Sequence, residues 1–244
     1  MKWIKGLLGF IWKIYFLLVV LITLLLLYPA YLILLLNEKY FLKGFQLTRF
    51  QARLILFLIG VRKEVHGSIP NDKETTYIIC PNHSSYLDIL ILYAALPNFF
   101  IFLGKKELGK IPVFNIFFKK LNILIDRGNP MAAHAAIEKA CHAMEKGTNV
   151  VIFPEGTISN EVPKMRPFKN GAFKVALQSN IPIVPITLRD NYKLLEDRIG
   201  FNASARPGKS RIYIHPPIFI DKNSPPDLLT LREETKQIIA SKID

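Results

Sequence analysis

The chain has 244 residues, half of them hydrophobic, with 32 Lys and Arg against 19 Asp and Glu for a formal net charge of +13. That length accommodates one well-buried α/β domain plus a membrane element, and excludes two ordinary enzyme domains beside an anchor. The positive balance suits an anionic membrane surface, an anionic substrate or an acidic carrier protein; the basic residues form no patch interleaved with aromatics, so no nucleic-acid partner is expected.

The amino-terminal region is the most apolar. Ile14 to Leu36 runs for 23 residues without a formal charge, and as a helix it would reach roughly 34 Å, enough for one bilayer crossing. A cleaved signal peptide fits less well, because the run is too long and no small-residue cleavage site follows it. Lys2, Lys5 and Lys13 precede the run and Lys39, Lys43, Arg49 and Arg53 follow it, so basic residues flank both sides and allow both ends to face the cytoplasm. Pro29 either kinks the helix or divides it into a shallow hairpin. Leu47 to Leu58 is a second apolar surface whose Arg49 and Arg53 are expected to snorkel toward head groups. A single-span anchor and a monotopic attachment both remain open, and residues 1–62 are expected to form a membrane-associated helical region ahead of a catalytic domain spanning 63–244.

After the polar stretch Gly67 to Lys73 the composition alternates. Short apolar runs at Thr76 to Cys80, Phe99 to Leu103, Asn122 to Ile125, Asn149 to Phe153, Ile183 to Leu188 and Arg211 to Ile214 predict strands. Helical patterns fall at Tyr86 to Ala95, Pro112 to Lys119, Met131 to Lys146, Gly171 to Ser179 and Leu231 to Ala240. This alternation predicts an α/β fold with a mixed or largely parallel sheet flanked by helices. Asn129, Pro130 and Gly147 punctuate the ends of the Met131 to Lys146 pattern as an N-cap, an N1 proline and a C-terminal stop. His134 and His142 lie on its wetter face and join no ligand spacing typical of zinc, so neither a metal nor a cofactor is expected. Cys80 and Cys141 sit alone in apolar surroundings, as buried thiols in a reducing compartment do.

Two segments carry residues suited to chemistry. In Asn82-His83-Ser84-Ser85-Tyr86-Leu87-Asp88, His83 leaves a strand end through Pro81, while Asp88 falls in the first or second turn of the next helix. From there an Asp can bend back to one imidazole nitrogen and leave the other free to take a proton; the alternative is a capped helix with an incidental polar pair. Gly-x-Ser-x-Gly is absent, so a His/Asp pair without its own nucleophile fits transfer to an external hydroxyl. In Phe153-Pro154-Glu155-Gly156-Thr157 a strand exits into a rigid turn bearing a carboxylate, backbone freedom and a hydroxyl. Glu155 is placed either to orient a polyol hydroxyl, with nearby amides meeting a phosphate, or as an exposed turn residue.

The chain resembles the PlsC-type glycerolipid acyltransferases, the 1-acylglycerol-3-phosphate acyltransferases. The likeness rests on Asn-His-x4-Asp from Asn82 to Asp88, Phe-Pro-Glu-Gly-Thr from Phe153 to Thr157, Phe168-Lys169-Asn170-Gly171-Ala172-Phe173 and Val184-Pro185-Ile186, in that order. It implies transfer of a fatty acyl group from acyl-CoA or acyl carrier protein to the free hydroxyl of a lysophospholipid in phospholipid biosynthesis, with lysophosphatidate the leading acceptor and phosphatidate the product. It also implies contact with membrane lipids, and location at a cell inner membrane or cytoplasmic membrane with the catalytic domain facing the cytoplasm. On this resemblance His83 is the base and Asp88 orients it; Glu155, Gly156 and Thr157 belong to the glycerol-phosphate segment. Arg127 matches a basic position expected to hold the phosphate. Lys105 either assists substrate charge or belongs to a solvated lysine pair. The family often has Arg after Glu-Gly-Thr, whereas Ile158 stands here; Lys164, Arg166 or Lys169 is expected to replace that charge, or the acceptor differs.

Overall fold

The computed structural model describes residues 2–70, 75–110, 115–126, 128–197 and 204–243. The chain opens with α1 (Lys2–Leu34), a 33-residue helix rich in Leu and Ile. Its stretch from Gly6 to Leu34 is long and apolar enough to cross a bilayer. Pro29 lies inside it and does not divide it; the missing amide costs one bond to a carbonyl a turn earlier, which a long apolar helix tolerates. A short 3-10 turn (Glu38–Tyr40) leads into α2 (Phe41–Leu58), which packs along α1. Between them Tyr31 donates its hydroxyl to Gln51 Oε1 at 2.7 Å, and Gln51 Nε2 donates to Thr23 Oγ1 at 3.3 Å.

Arg49 and the exposed Arg53 also reach the neighbouring helix. Arg49 donates to the carbonyls of Tyr93 and Pro97, and Arg53 to that of Ala94. These carbonyls close the carboxyl end of α3 (Leu87–Ala95), where unpaired acceptors and the negative end of the helix dipole favour cations. The helix that carries Asp88 is thus fastened at its far end by α2.

The body is a seven-stranded sheet among the described residues, in the order β1-β7-β6-β2-β5-β3-β4. Its strands are β1 (Val61–His66), β2 (Ile78–Pro81), β3 (Phe100–Lys105), β4 (Ile123–Ile125), β5 (Asn149–Val151), β6 (Ile183–Leu188) and β7 (Gly208–Ile214). Every pairing is parallel except β6 with β7, so the sheet is mixed. Four further helices follow the expected order: α4 (Asn115–Lys120), α5 (Pro130–Glu145), α6 (Gly171–Ser179) and α8 (Leu228–Ala240). The start of the pattern expected from Pro112, as far as Phe114, lies outside the described residues. Asn129 Oδ1 accepts from the amides of Met131 and Ala132, so the expected cap is present.

Strand alternation builds two cores. Ile79, Val151 and Val184 face a layer formed with α1, α2 and α3, whereas Ile78, Val150 and Ile183 face α5, α6 and α8. Consecutive strand residues point to opposite faces, which is why these buried strands read as continuous apolar runs with helices on both sides. Besides the short 3-10 turns, one strand and one α-helix among the described residues fall outside the sequence expectation. The first is β1, whose Arg62, Lys63, Glu64 and His66 suit an edge strand paired on one side only. The second is α7 (Asn191–Leu194), a single turn after β6.

Candidate active site

The site lies where β2 ends at the centre of the sheet. The Asn82 amide still donates to the Ile186 carbonyl of β6, and the Asn82 side chain extends the pairing one step further: Nδ2 donates to the Leu188 carbonyl at 3.1 Å, and the Leu188 amide donates to Oδ1 at 2.7 Å. The amide side chain behaves as one more peptide group paired with β6, and it sets the exit direction for His83.

His83 Nδ1 stands 2.8 Å from Asp88 Oδ2. A carboxylate can only accept, so Nδ1 carries the proton, and in the neutral ring Nε2 keeps its lone pair. Asp88 is wholly buried, in the first turn of α3. Its Oδ2 also accepts from the amides of Ser84 at 2.7 Å and Ser85 at 2.9 Å, and its Oδ1 accepts from Asn191 Nδ2 at 2.7 Å. Charge-assisted bonds of this kind, at a helix amino terminus, stabilise a buried anion. The imidazole retains 15% side-chain exposure and stacks on Phe153, with centroids 4.0 Å apart. Its face is thereby fixed while one edge stays reachable.

The second segment docks onto the first through its backbone. Glu155 Oε1 accepts from the amide of His83 and Oε2 from the amide of Arg166, each at 2.7 Å. The Ser159 amide donates to the His83 carbonyl, and the Lys169 amide to that of Pro154. Glu155 is 2% exposed, so it is not the solvent-facing turn residue the sequence left open; it ties two loops together. Burial pushes its carboxyl up to about 7, against the opposing pull of the two amides. Gly156 has a φ of 76°, the left-handed region in which a side chain would be strained.

The remaining expected residues are distributed differently. Thr157, Lys105, Lys164, Arg166 and Lys169 are exposed. Arg166 and Lys169 have their backbones anchored to the Glu155 turn, whereas Lys164 extends to 3.5 Å from Glu161. Ile158 is buried at 7% exposure. Arg127 lies outside the described residues. Beside Ser84 a small cleft of about 100 Å³ is lined by Ser159, Asn160, Val162, Glu196 and Asp197. Among the described residues no three His, Cys, Asp or Glu side chains converge as a metal set. Sequence reasoning misses Asn191, Phe153 and the strand-like pairing of Asn82; an Asp-Asn pair closing an apolar strand, Asp190-Asn191, is the one sequence cue to the first.

A buried carboxylate beside a partly exposed imidazole, with no serine or cysteine held against the free nitrogen among the described residues, is an arrangement that fits a transferase activating a hydroxyl brought by its substrate. Comparison with known proteins agrees. The acyltransferase family model matches residues 62–189. A 1-acyl-sn-glycerol-3-phosphate acyltransferase of Borreliella burgdorferi is 32% identical over 201 residues, which cover 82% of this chain and 76% of that protein. The enzyme of the same description from Cocos nucifera is 34% identical, over 56% of this chain and 44% of its own length; the chain thus spans less than half of that longer relative. The crystal structure of PlsC, the 1-acyl-sn-glycerophosphate acyltransferase of Thermotoga maritima, has the same fold, with a TM-score of 0.78 at 22% identity over 99% of this chain and 95% of that one. The chain belongs to the PlsC-type acyltransferase family.

Proposed function

We propose that the protein transfers a fatty acyl group from acyl-CoA or acyl carrier protein to the sn-2 hydroxyl of 1-acylglycerol-3-phosphate, forming phosphatidate. The observation that carries this reading is the 2.8 Å pair of His83 Nδ1 and Asp88 Oδ2, which leaves Nε2 as the proton acceptor on the reachable edge of the ring. The substrate hydroxyl gives its proton to Nε2 as its oxygen attacks the thioester carbonyl. Collapse of the tetrahedral intermediate breaks the C–S bond, and His83 returns the proton to the departing thiolate. One ester forms, one thioester is lost, and the histidine ends as it began. Asp88 stabilises the imidazolium between these steps.

The acceptor assignment is supported by the names of the relatives and by the basic loop after Thr157, in which the exposed side chains of Lys164, Arg166 and Lys169 can reach a phosphate. A different lyso-lipid is favoured by one observation: the position after Thr157 is the buried, uncharged Ile158. The exposed apolar faces of α1, with Leu26 at 75% and Ile33 at 67% exposure, support attachment to the cytoplasmic membrane. The catalytic domain would then work on the cytoplasmic side, with residues 1–62 as its attachment region and 63–244 as the catalytic body.

Purified protein in lipid vesicles, given acyl thioester and lysophosphatidate, is expected to release thiol in step with phosphatidate formation. His83→Ala should lower turnover by about 10²- to 10⁴-fold with the fold retained. Transfer only to other lyso-lipids would reassign the acceptor. No transfer with any donor, or near-normal turnover by His83→Ala, would reject the assignment.

A further inference from the structure

We propose that Asn191, seated by Ser210, is a positioning residue for the dyad, holding Asp88 in the orientation that serves His83. The inference rests on the reading of His83 as the base. Asn191 and Ser210 are fully buried and lie more than a hundred residues from Asp88 in sequence. Asn191 Nδ2 donates to Asp88 Oδ1 at 2.7 Å, and Ser210 Oγ lies 2.6 Å from Asn191 Oδ1.

The chemistry fixes the direction of this chain. Asp88 accepts only, so the amide must present its NH₂ group to the carboxylate and its oxygen to Ser210, whose hydroxyl must therefore donate. The polarity runs from the β7 hydroxyl through the amide to the carboxylate and on to the imidazole. Its anchorage is firm on both sides. Arg211 of β7 grips Asp190 with its amide, Nε and Nη2, and Ser85 Oγ donates to the Leu195 carbonyl at 2.6 Å. The turn α7 is thus bolted to strand β7 at one end and to the His83 loop at the other.

Oδ2 of Asp88 already serves three donors, whereas Oδ1 has Asn191 alone among the described contacts. Torsion about the Asp Cβ–Cγ bond is soft. A carboxylate held at one oxygen by three donors with differing directions keeps a single orientation only if the other oxygen is pinned as well. Removing Asn191 leaves Oδ1 buried without a donor, and the carboxylate turns toward whatever can satisfy it, at the expense of the bond to Nδ1.

The test combines kinetics, a cycle and a spectroscopic signature. Asn191→Leu, which keeps the branched outline and removes the donor, is expected to lower kcat by about tenfold to hundredfold with acceptor KM within about threefold. On an Asp88→Ala background the same change should cost less than about twofold, because its effect passes through the carboxylate. Ser210→Ala should lose roughly threefold to tenfold in kcat, and Ser210→Thr, which keeps the hydroxyl, should recover it. The downfield proton resonance of His83 Nδ1–H should shift or broaden in Asn191→Leu and persist in Ser210→Thr, a readout that needs no turnover. Equal losses with and without Asp88, an unmoved resonance, or wild-type kcat in folded Ser210→Ala would overturn the proposal. Absence of acyl transfer by the wild-type protein would instead strike the functional reading, leaving the resonance to decide this one. If Asn191→Leu fails to fold, the serine pair carries the test.

Discussion

Glu155 shows how a residue can serve a site without facing substrate. Its two oxygens accept one amide from the His83 loop and one from the Arg166 loop, so the Phe-Pro-Glu-Gly-Thr segment braces the histidine through the backbone while Phe153 braces it through the ring. The carboxyl titrates near 7 in the folded chain against an ordinary 4.5. Between those values the folded chain holds a proton that the unfolded chain has released. The contribution to stability is therefore present in full below 4.5 and is lost as the pH rises through 7. Glu155→Gln cannot ionise, so the gap in Tm between wild type and variant should narrow across that window; a gap that is constant or widens with pH would contradict the buried titration. The juxtaposition of His83 and Asp88 can be anticipated from spacing, since a strand exit and one helical turn bring positions five apart together, although only the family motif separates a dyad from a capped helix. Asn191 and Ser210 cannot, because their meeting with Asp88 depends on how β6, β7 and α7 return to the centre of the sheet.

At the level of elements, α5, α6 and β6 are legible because cap, periodicity and apolar run agree with one another. The edge strand β1 is not: its charged residues face solvent, and only pairing with β7, far along the chain, makes it a strand. The short α7 carries too few residues for any periodicity. The roles of Arg49 and Arg53 escape the sequence for a related reason. Their targets are backbone carbonyls at the end of α3, which no side-chain pattern advertises. Between α1 and α2 the buried Tyr31–Gln51–Thr23 chain is the main polar fixture. Tyr31→Phe strands the Gln51 carbonyl, at a cost of about 1–3 kcal/mol. Calorimetry in detergent should show a Tm lowered by several degrees, and an unchanged Tm would mean that Gln51 finds another donor.

For the whole molecule, two forces favour a bilayer and they respond differently to salt. The apolar faces of α1 act by area and are nearly indifferent to ionic strength, whereas the +13 charge acts over a Debye length of about 10 Å at 0.1 M salt and about 3 Å at 1 M. The full chain should therefore remain on vesicles at high salt while losing its preference for anionic over neutral lipid. Flotation assays at the two salt levels separate the terms: release at high salt would assign attachment to charge alone. The packing of α1 on α2, and of α2 on α3, then links the apolar helix to the helix that carries Asp88.

Asn82 carries one more consequence. Asparagine side chains age when the next backbone nitrogen attacks the side-chain carbonyl to form a succinimide, releasing ammonia. Here the attacking nitrogen, that of His83, is held by Glu155, and the side-chain amide is held at both ends by Leu188. Neither partner is free to approach the other. The contacts that aim His83 are therefore expected to slow succinimide formation at its neighbour as well.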